Sequence, residues 1–231
     1  MSSACSGEEA NRERMVNLSE VKDDEEAQLK HLNAAIKQAK RDGSLYARRA
    51  VVLLRKGELK KALADADEAV RLTKNEPSAL FVKAQVLRAL NRRDEALPLA
   101  LQAERNSYQT SSLYVLLGEL YLHRKDYKQA RLYLDKAQEL SPKDAYAYYF
   151  KGRVLEASGD TARAIRNYRL ALEQLPEFMH AQRDMAGVLV SQGKYEAARP
   201  YILSAEKLDP KDAQLWYYKG LLYQAAQKQD S

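Results

Sequence analysis

Residues 145–178 read AYAYYFKGRVLEASGDTARAIRNYRLALEQLPEF, and they decide the fold because their pattern recurs every 34 residues. Two alanines of this stretch return at the same phases in every unit: Ala62, Ala96, Ala130, Ala164 and Ala198, followed seven residues later by Ala69, Ala103, Ala137, Ala171 and Ala205. Twelve residues before the first alanine lies another small residue: Ala50, Ala84, Gly118, Gly152 or Ala186. The register runs from 43 to 212 without an insertion or deletion. Self-similarity at such a period indicates stacked supersecondary units rather than one globular core.

Each unit fits two helices joined by a short turn. Helices approach to about 8–10 Å only where the side chains at their crossing are small, which explains the phase of Ala or Gly in all five units. Larger apolar residues follow at helical spacing, as Tyr114, Leu117 and Tyr121 do in the unit that begins at Ser111. Turns and helix ends are marked by Gly57, Gly159, Gly193, Pro142, Pro176 and Pro210. The sequence therefore predicts an all-α solenoid of helical hairpins.

Taken together, these motifs resemble the tetratricopeptide repeat (TPR). The unit that matches the family's pattern of aromatic, small and proline residues best carries Tyr148, Gly152, Leu155, Ala164, Tyr168, Ala171 and Pro176. The resemblance covers five repeats, at 43–76, 77–110, 111–144, 145–178 and 179–212. It implies a right-handed α-solenoid of stacked helix-turn-helix hairpins, which binds other proteins and is not an enzyme.

The segments outside the five repeats are predicted to cap the stack, because the ends of a solenoid must present faces that water tolerates. In the N-terminal cap we expect Leu32 and Ala35 on the packing face, with Asn17 and Glu20 as a capping box. The predicted order is a mobile polar tail at 1–19, a capping helix at 20–42, the five repeats, and a capping helix with a tail at 213–231.

Positive charge is concentrated around the first repeat. The 231-residue chain has a formal net charge of +6, and residues 37–61 hold nine basic against two acidic residues. The predicted basic surface comprises Arg48, Arg49, Arg55, Lys56, Lys60 and Lys61. One interpretation is a docking surface for an acidic partner, a phosphate-rich polymer or anionic lipid headgroups. The other is an ordinary solvated surface, since these side chains spread over several helical faces.

The sequence offers little for catalysis or for a bound ion. Its three histidines lie in different units, and the HExxH, GxGxxG, Walker and CxxC motifs are absent. Glu119 and His123, spaced i, i+4, could supply half of a metal site, but no third ligand is evident; we therefore expect neither metal nor cofactor. Most of the fifteen tyrosines fall on packing phases, which disfavours nucleic-acid binding. No apolar run approaches the 18 residues that a membrane span requires.

The resemblance also implies a binding groove, because the first helices of TPR hairpins line a concave surface at a few fixed phases. Carried onto this chain, those phases give Phe81, Gln85, Arg88, Val115, Glu119, His123, Tyr146, Tyr149, Arg153, His180, Arg183 and Tyr217. Three of the tyrosines lie off the packing phases, beside Arg153 and Arg183, so we expect a peptide with apolar and acidic side chains. The alternative is that the tyrosines cover neighbouring helices and the arginines are merely solvated.

Two functions remain open. In the first, the chain is an adaptor that holds a peptide or a partner segment in its groove. In the second, it is a structural spacer or self-assembling subunit that makes contacts through its ends, its convex face or the basic surface. The clamp with which some family members grip chaperone C-termini is absent, because its early positions are Ala47, Val51 and Val82.

The single cysteine bears on localisation. The stretch 3–7, Ser-Ala-Cys-Ser-Gly, resembles the junction at which bacterial lipoproteins are cleaved and lipidated at a cysteine, here Cys5. A lipid anchor would place the protein in the cell envelope, facing the periplasm, within an assembly or secretion machine. Two features depart from that motif: no apolar segment precedes Cys5, and Ser2 stands where the motif has Leu. A cytoplasmic location is the alternative.

Overall fold

The computed structural model describes residues 25–229, so Cys5, Asn17 and Glu20 lie outside the described residues. The described part of the chain is an all-α helical-repeat solenoid. Its helices are α1 Glu25–Gln38, α2 Gly43–Arg55, α3 Leu59–Leu72, α4 Pro77–Ala89, α5 Arg93–Arg105, α6 Ser111–His123, α7 Tyr127–Leu140, α8 Ala145–Ala157, α9 Thr161–Gln174, α10 Met179–Ser191, α11 Tyr195–Leu208 and α12 Ala213–Gln229. We call the even-numbered helices first helices and the odd-numbered ones second helices.

One turn geometry joins the first and second helix of every complete hairpin. The second residue after each first helix adopts a left-handed backbone conformation, at Gly57, Asn91, Lys125, Gly159 and Gly193. The next N–H then bonds back to the carbonyl five residues earlier, as from Asp160 to Leu155 at 2.9 Å. Glycine adopts this conformation without steric cost, which explains its presence at three of the five positions.

The small residues of the repeat lie where the two helices of a hairpin cross. All ten alanines at the two repeating phases of the second helices are fully buried. The first helix matches its partner in size: a Cβ atom on Gly118 would lie 2.6 Å from Leu134, and one on Gly152 would lie 2.6 Å from Tyr168. In the first two units, Ala66 and Ala100 occupy the position of Leu134 and Tyr168 in the second helix. The facing position of the first helix is then Ala50 or Ala84 instead of glycine. Glycine at the crossing thus accommodates Leu134 and Tyr168, whereas in the fifth unit Ile202 lies opposite Ala186.

The stack curves with its first helices on the inner side. Three pairs of neighbouring first helices contact each other directly, α2 with α4, α6 with α8, and α10 with α12, whereas no two successive second helices do so to a comparable extent. A face on which helices crowd together is the concave one, so the inward side chains of α4 to α12 line the groove.

At the N-terminal end, α1 packs against α2 with Leu32 and Ile36. Ala35, expected on the packing face, is only half-buried. Along residues 25–229 no helix has the length and apolar character needed to cross a membrane.

Candidate functional site

The predicted groove residues differ widely in exposure. His123, Tyr146, His180 and Tyr217 are exposed, and Gln85, Arg88, Glu119, Arg153 and Arg183 are half-buried. Phe81, Val115 and Tyr149 are buried. Most of the exposed surface thus belongs to the half of the groove formed by α8, α10 and α12, which we call the C-terminal half.

The expectation that Tyr149 has no packing role is wrong, because this side chain is part of the core. Tyr149 is 4% exposed, and its ring centroid lies 4.8 Å from that of Phe178 and 5.0 Å from that of Phe150. Phe81 is also buried, with its ring 5.3 Å from Tyr108. These two aromatic rings stabilise the stack and present little surface to a ligand.

One carboxylate, that of Asp184 in α10, organises the C-terminal half. Its Oδ2 accepts a hydrogen bond of 2.8 Å from the Tyr149 hydroxyl and lies 3.4 Å from Nη1 of Arg153. Its Oδ1 lies 3.3 Å from Nε of Arg183, and Nη1 of Arg183 donates to Asp212 at 3.1 Å. The two arginines expected to attract acidic side chains are therefore already paired with carboxylates.

These contacts fix the charges of the network. Burial raises the pKa of the Tyr149 hydroxyl and nearby Asp184 raises it further, so Tyr149 remains a neutral donor. Burial alone would raise the pKa of Asp212, but hydrogen bonds from Arg183 and from the backbone N–H of Gln214 hold it below its usual value. At neutral pH two arginines thus face two carboxylates. Desolvation and then the charge of Arg183 lower the pKa of nearby His180, which keeps that imidazole neutral.

Exposed aromatic rings accompany the network. Tyr146 is 50% exposed, with its ring 4.7 Å from Phe178, and Tyr217 is 62% exposed, with its ring 6.0 Å from Tyr218. An open cavity of about 510 Å³ adjoins the charged groups and is lined by Leu122, Arg153, Glu156, Ala157, Arg183, Asp184, Gly187, Ser191 and Tyr218. A side chain at position 187 would collide with the Tyr218 hydroxyl, so Gly187 permits the close approach of α12 to α10.

The N-terminal half of the groove, formed by α4 and α6, holds simpler contacts. Arg88 forms an ion pair of 3.2 Å with Glu119. Nε2 of His123 lies 3.2 Å from Nη1 of Arg93, so Glu119 and His123 contact different side chains. Within residues 25–229 no group of three His, Cys, Asp or Glu side chains is arranged to hold a metal ion.

The sequence interpretation missed Asp184, the residue on which the network depends. Its phase carries Val82, Leu116 and Phe150 in the three preceding units. A carboxylate at a phase that is apolar in those three units was the available signal, since a carboxylate there requires partners. Asp212, the other carboxylate, directly precedes α12, where its side chain accepts from the N–H of Gln214 at 2.8 Å.

The basic surface is largely engaged within the protein. Arg49 forms a bidentate pair with Asp65, at 2.6 and 2.7 Å. The other contacts join Arg55 to Gln28, Lys56 to Glu26 and Lys61 to Glu58. Arg48 and Lys60 are exposed. The six basic side chains therefore do not act as one free cationic patch, since much of their charge is neutralised locally.

Family models of the tetratricopeptide repeat match residues 29–77, 81–145, 129–177 and 155–222. Among curated proteins, the chain is 28% identical over 158 residues to human protein O-mannosyl-transferase TMTC1, covering 67% of this chain and 18% of that protein. It is 27% identical over 124 residues to the type IV pilus assembly protein PilF of Pseudomonas aeruginosa, covering 53% of this chain and 49% of that protein. The chain thus spans half or less of either relative.

Solved TPR structures share the fold. The TPR protein YrrB, described as having an unusual peptide-binding site, aligns with a TM-score of 0.55 at 24% identity, covering 83% of this chain and 99% of that chain. The TPR protein TTC0263 of Thermus thermophilus aligns with a TM-score of 0.68 at 22% identity, covering 78% and 99%. A chain of the APC/C hetero-tetramer Cut9-Hcn1 aligns with a TM-score of 0.80 at 16% identity, covering 87% of this chain and 40% of that chain. At these identities the likeness concerns the fold.

Proposed function

The chain belongs to the tetratricopeptide repeat family, and we propose that it is a non-catalytic scaffold that binds a peptide segment of a partner protein in the C-terminal half of its groove. The observation that carries this proposal is the exposure of Tyr146 in α8 and Tyr217 in α12, two tyrosines at phases that the family resemblance assigns to the concave surface. Tyrosine is enriched among the residues that anchor protein interfaces. The fold supports the proposal, because TPR proteins in general bind protein or peptide partners.

The charge balance of the network defines the chemistry of the peptide. Because Arg153 and Arg183 are paired with Asp184 and Asp212, an acidic peptide would have to compete with carboxylates that are already in place. A peptide with aromatic or aliphatic side chains, which pack on the tyrosines, fits better. Arg153 is partly exposed and can still donate a hydrogen bond to a backbone carbonyl of that peptide. The TPR protein YrrB, described as having an unusual peptide-binding site, supports this proposal.

The experiment is a selection of random 15-residue peptides on the wild-type protein, followed by affinity measurements on variants. Fully extended, a peptide of this length spans about 50 Å, so it can follow the groove. The variant is Tyr146→Ala with Tyr217→Ala, and each substitution removes an exposed ring. We expect the double variant to bind the selected peptides with at least tenfold lower affinity, because it lacks two interface anchors.

The matched control is Tyr223→Ala, which removes an equally exposed tyrosine from α12 outside the predicted groove phases. It is expected to leave the affinity unchanged. Equal affinity of the wild-type protein and the double variant would exclude this half of the groove as the site. If Tyr223→Ala lowers the peptide affinity as much as the double variant does, the binding site lies at the end of the stack instead of in the groove.

We further propose that the scaffold serves an envelope-assembly machine as a lipid-anchored protein. The cysteine motif at 3–7 and the similarity to PilF support this location, and a cytoplasmic scaffold is the alternative. The genomic sequence upstream of Met1 tests it. About 15 codons for a basic start and an apolar run would support lipidation of Cys5, and an in-frame stop immediately upstream would exclude it.

A further inference from the structure

The open cavity of the groove lies where two pairs of first helices meet. Helix α6 contacts α8 closely and α10 contacts α12 closely, whereas α8 and α10 approach each other less. The cavity of about 510 Å³ takes its lining from all four of these helices. Its volume falls within the range of about 300–1,000 Å³ that is typical of ligand pockets. The gap between the two pairs can therefore receive a side chain of a bound segment.

The two ends of this cavity differ in charge. At one end, Arg183 and Asp184 come from the second turn of α10 and belong to the paired network. The other end, about 10 Å further along α10, is formed by residues from the last turns of α6, α8 and α10: Leu122, Glu156, Ala157 and Ser191. The last turn of a helix carries partial negative charge, so three such turns together favour a cation at this end.

The carboxylate of Glu156 adds a full negative charge at the same end. It accepts a hydrogen bond from the buried Tyr168 hydroxyl, and among residues 25–229 it forms no ion pair. Arg153 precedes it by three residues on α8, but that guanidinium is turned to the Tyr149 hydroxyl at 3.1 Å and to Asp184 at 3.4 Å. Because the network balances its own charges, Glu156 is a further carboxylate with no cation beside it in the described part of the chain.

An aromatic ring completes the lining beside this carboxylate. Tyr218 of α12 is half-buried and borders the cavity. Burial raises the pKa of its hydroxyl, and the charges of Asp184 and Glu156 raise it further, against the opposing effects of Gln214 and Arg183. The ring is therefore close enough to Glu156 to respond to its charge. An aromatic face next to a carboxylate suits a cation, because both attract positive charge.

We propose that this cavity binds a basic side chain, lysine or arginine, of the partner segment that occupies the groove. The cationic group pairs with Glu156, and the aliphatic stem packs along Leu122 and the ring of Tyr218, as the stems of long basic side chains do on apolar surfaces. An acidic side chain would face the Glu156 carboxylate and the negative ends of three helices. The inference rests on the proposed peptide binding and specifies one residue of that peptide.

The peptides selected on the wild-type protein are the probes for this proposal. They are expected to carry lysine or arginine at one fixed spacing from their aromatic or aliphatic residues. Replacing that basic residue by methionine is expected to lower the affinity about fivefold, the upper range for an exposed ion pair. Glu156→Gln is expected to cause the same loss, since the amide oxygen still accepts from Tyr168 but carries no charge. In Glu156→Gln, the peptide with methionine should bind as well as its parent.

The matched control is Glu173→Gln, which removes an exposed carboxylate one residue before the end of α9, as Glu156 lies one residue before the end of α8. It is expected to leave the affinity unchanged.

Three results would overturn the proposal and leave peptide binding in place: selected peptides without a basic residue at a fixed spacing, equal affinity of Glu156→Gln and the wild type, or an equal loss in Glu173→Gln. A wild-type protein that retains no peptide at all would overturn the proposed peptide binding together with this inference.

Discussion

In the half of the groove built by α4 and α6, Arg88 and Glu119 join two neighbouring helices through a single ion pair. In the half built by α8, α10 and α12, the carboxylate of Asp184 is shared by Tyr149, Arg153 and Arg183. Arg153 lies one repeat after Glu119, but Arg88 and Asp184 occupy phases that the other network does not use, so the difference comes from positions that the repeat leaves free to vary. The residues that determine the fold and those that shape the groove can therefore be altered separately.

The largest expected effect separates the buried from the exposed tyrosine within the C-terminal half. Tyr149→Ala removes a ring that packs between α8 and α10, and we expect it to cost about 3–5 kcal/mol in the free energy of unfolding. Tyr146→Ala removes an exposed ring and is expected to cost about 1 kcal/mol or less. Urea unfolding measures both. Similar costs for the two variants would mean that Tyr149 is not a core residue.

The second prediction compares the two carboxylates of the groove. Asp184→Asn leaves Arg153 and Arg183 with only one carboxylate between them, and it should cost about 1.5–3 kcal/mol, as the loss of a hydrogen-bonded charge does. Glu119→Gln frees only the partly exposed Arg88 and is expected to cost about 1 kcal/mol or less. Chemical denaturation of both variants gives the comparison. An equal cost would show that the shared network has no advantage over the single pair.

The period of 34 residues was enough to predict the all-α solenoid, because a position that requires a small side chain in every hairpin recurs at regular intervals in the sequence. The burial of the ten repeating alanines and the turn at Gly57, Gly159 and Gly193 follow from the same regular recurrence. These features depend on contacts inside one hairpin, which each unit repeats. A single sequence therefore contains several independent examples of each.

The groove was harder to predict because its side chains depend on the neighbouring repeat. Tyr149 and Tyr217 share one phase, yet the first is covered by Phe178 and α10, whereas the second lies on the last described helix. The pairing of Arg183 likewise depends on Asp184 and Asp212, which have no acidic counterpart in the preceding repeat. Contacts between repeats of different sequence leave no periodic signal.

The third prediction compares two glycines that share a phase but differ in their surroundings. Gly152→Ala places a methyl group against the buried ring of Tyr168 and is expected to cost about 1–3 kcal/mol. Gly220→Ala meets nothing within 4 Å and should stabilise the helix by up to about 1 kcal/mol. Thermal unfolding measures both. A destabilised Gly220→Ala variant would show that another part of the chain covers α12.

The smallest expected effect concerns acid and compares two aspartates that cap first helices, Asp212 in the C-terminal half and Asp42 at α2. The pKa of Asp42 is lowered chiefly by the hydrogen bond from the Ser44 hydroxyl. That of Asp212 is lowered, against the opposing effect of burial, by Arg183 and by backbone N–H groups. A carboxyl group whose pKa is lower in the folded state stabilises the fold above its ordinary pKa, and this contribution is lost as the pH falls through the lowered value.

The wild-type protein should therefore lose stability between about pH 5 and pH 2, and Asp212→Asn should lose less over the same interval. Arg183→Gln is expected to reduce the acid sensitivity that comes from Asp212 and to leave the contribution of Asp42 unchanged. Ser44→Ala is expected to reduce the contribution of Asp42 and to leave that of Asp212 unchanged. Carbon NMR of the two carboxyl groups in each variant gives the separate titrations. An unchanged Asp212 titration in Arg183→Gln would assign its lowered pKa to the backbone N–H groups of α12 rather than to the charged network.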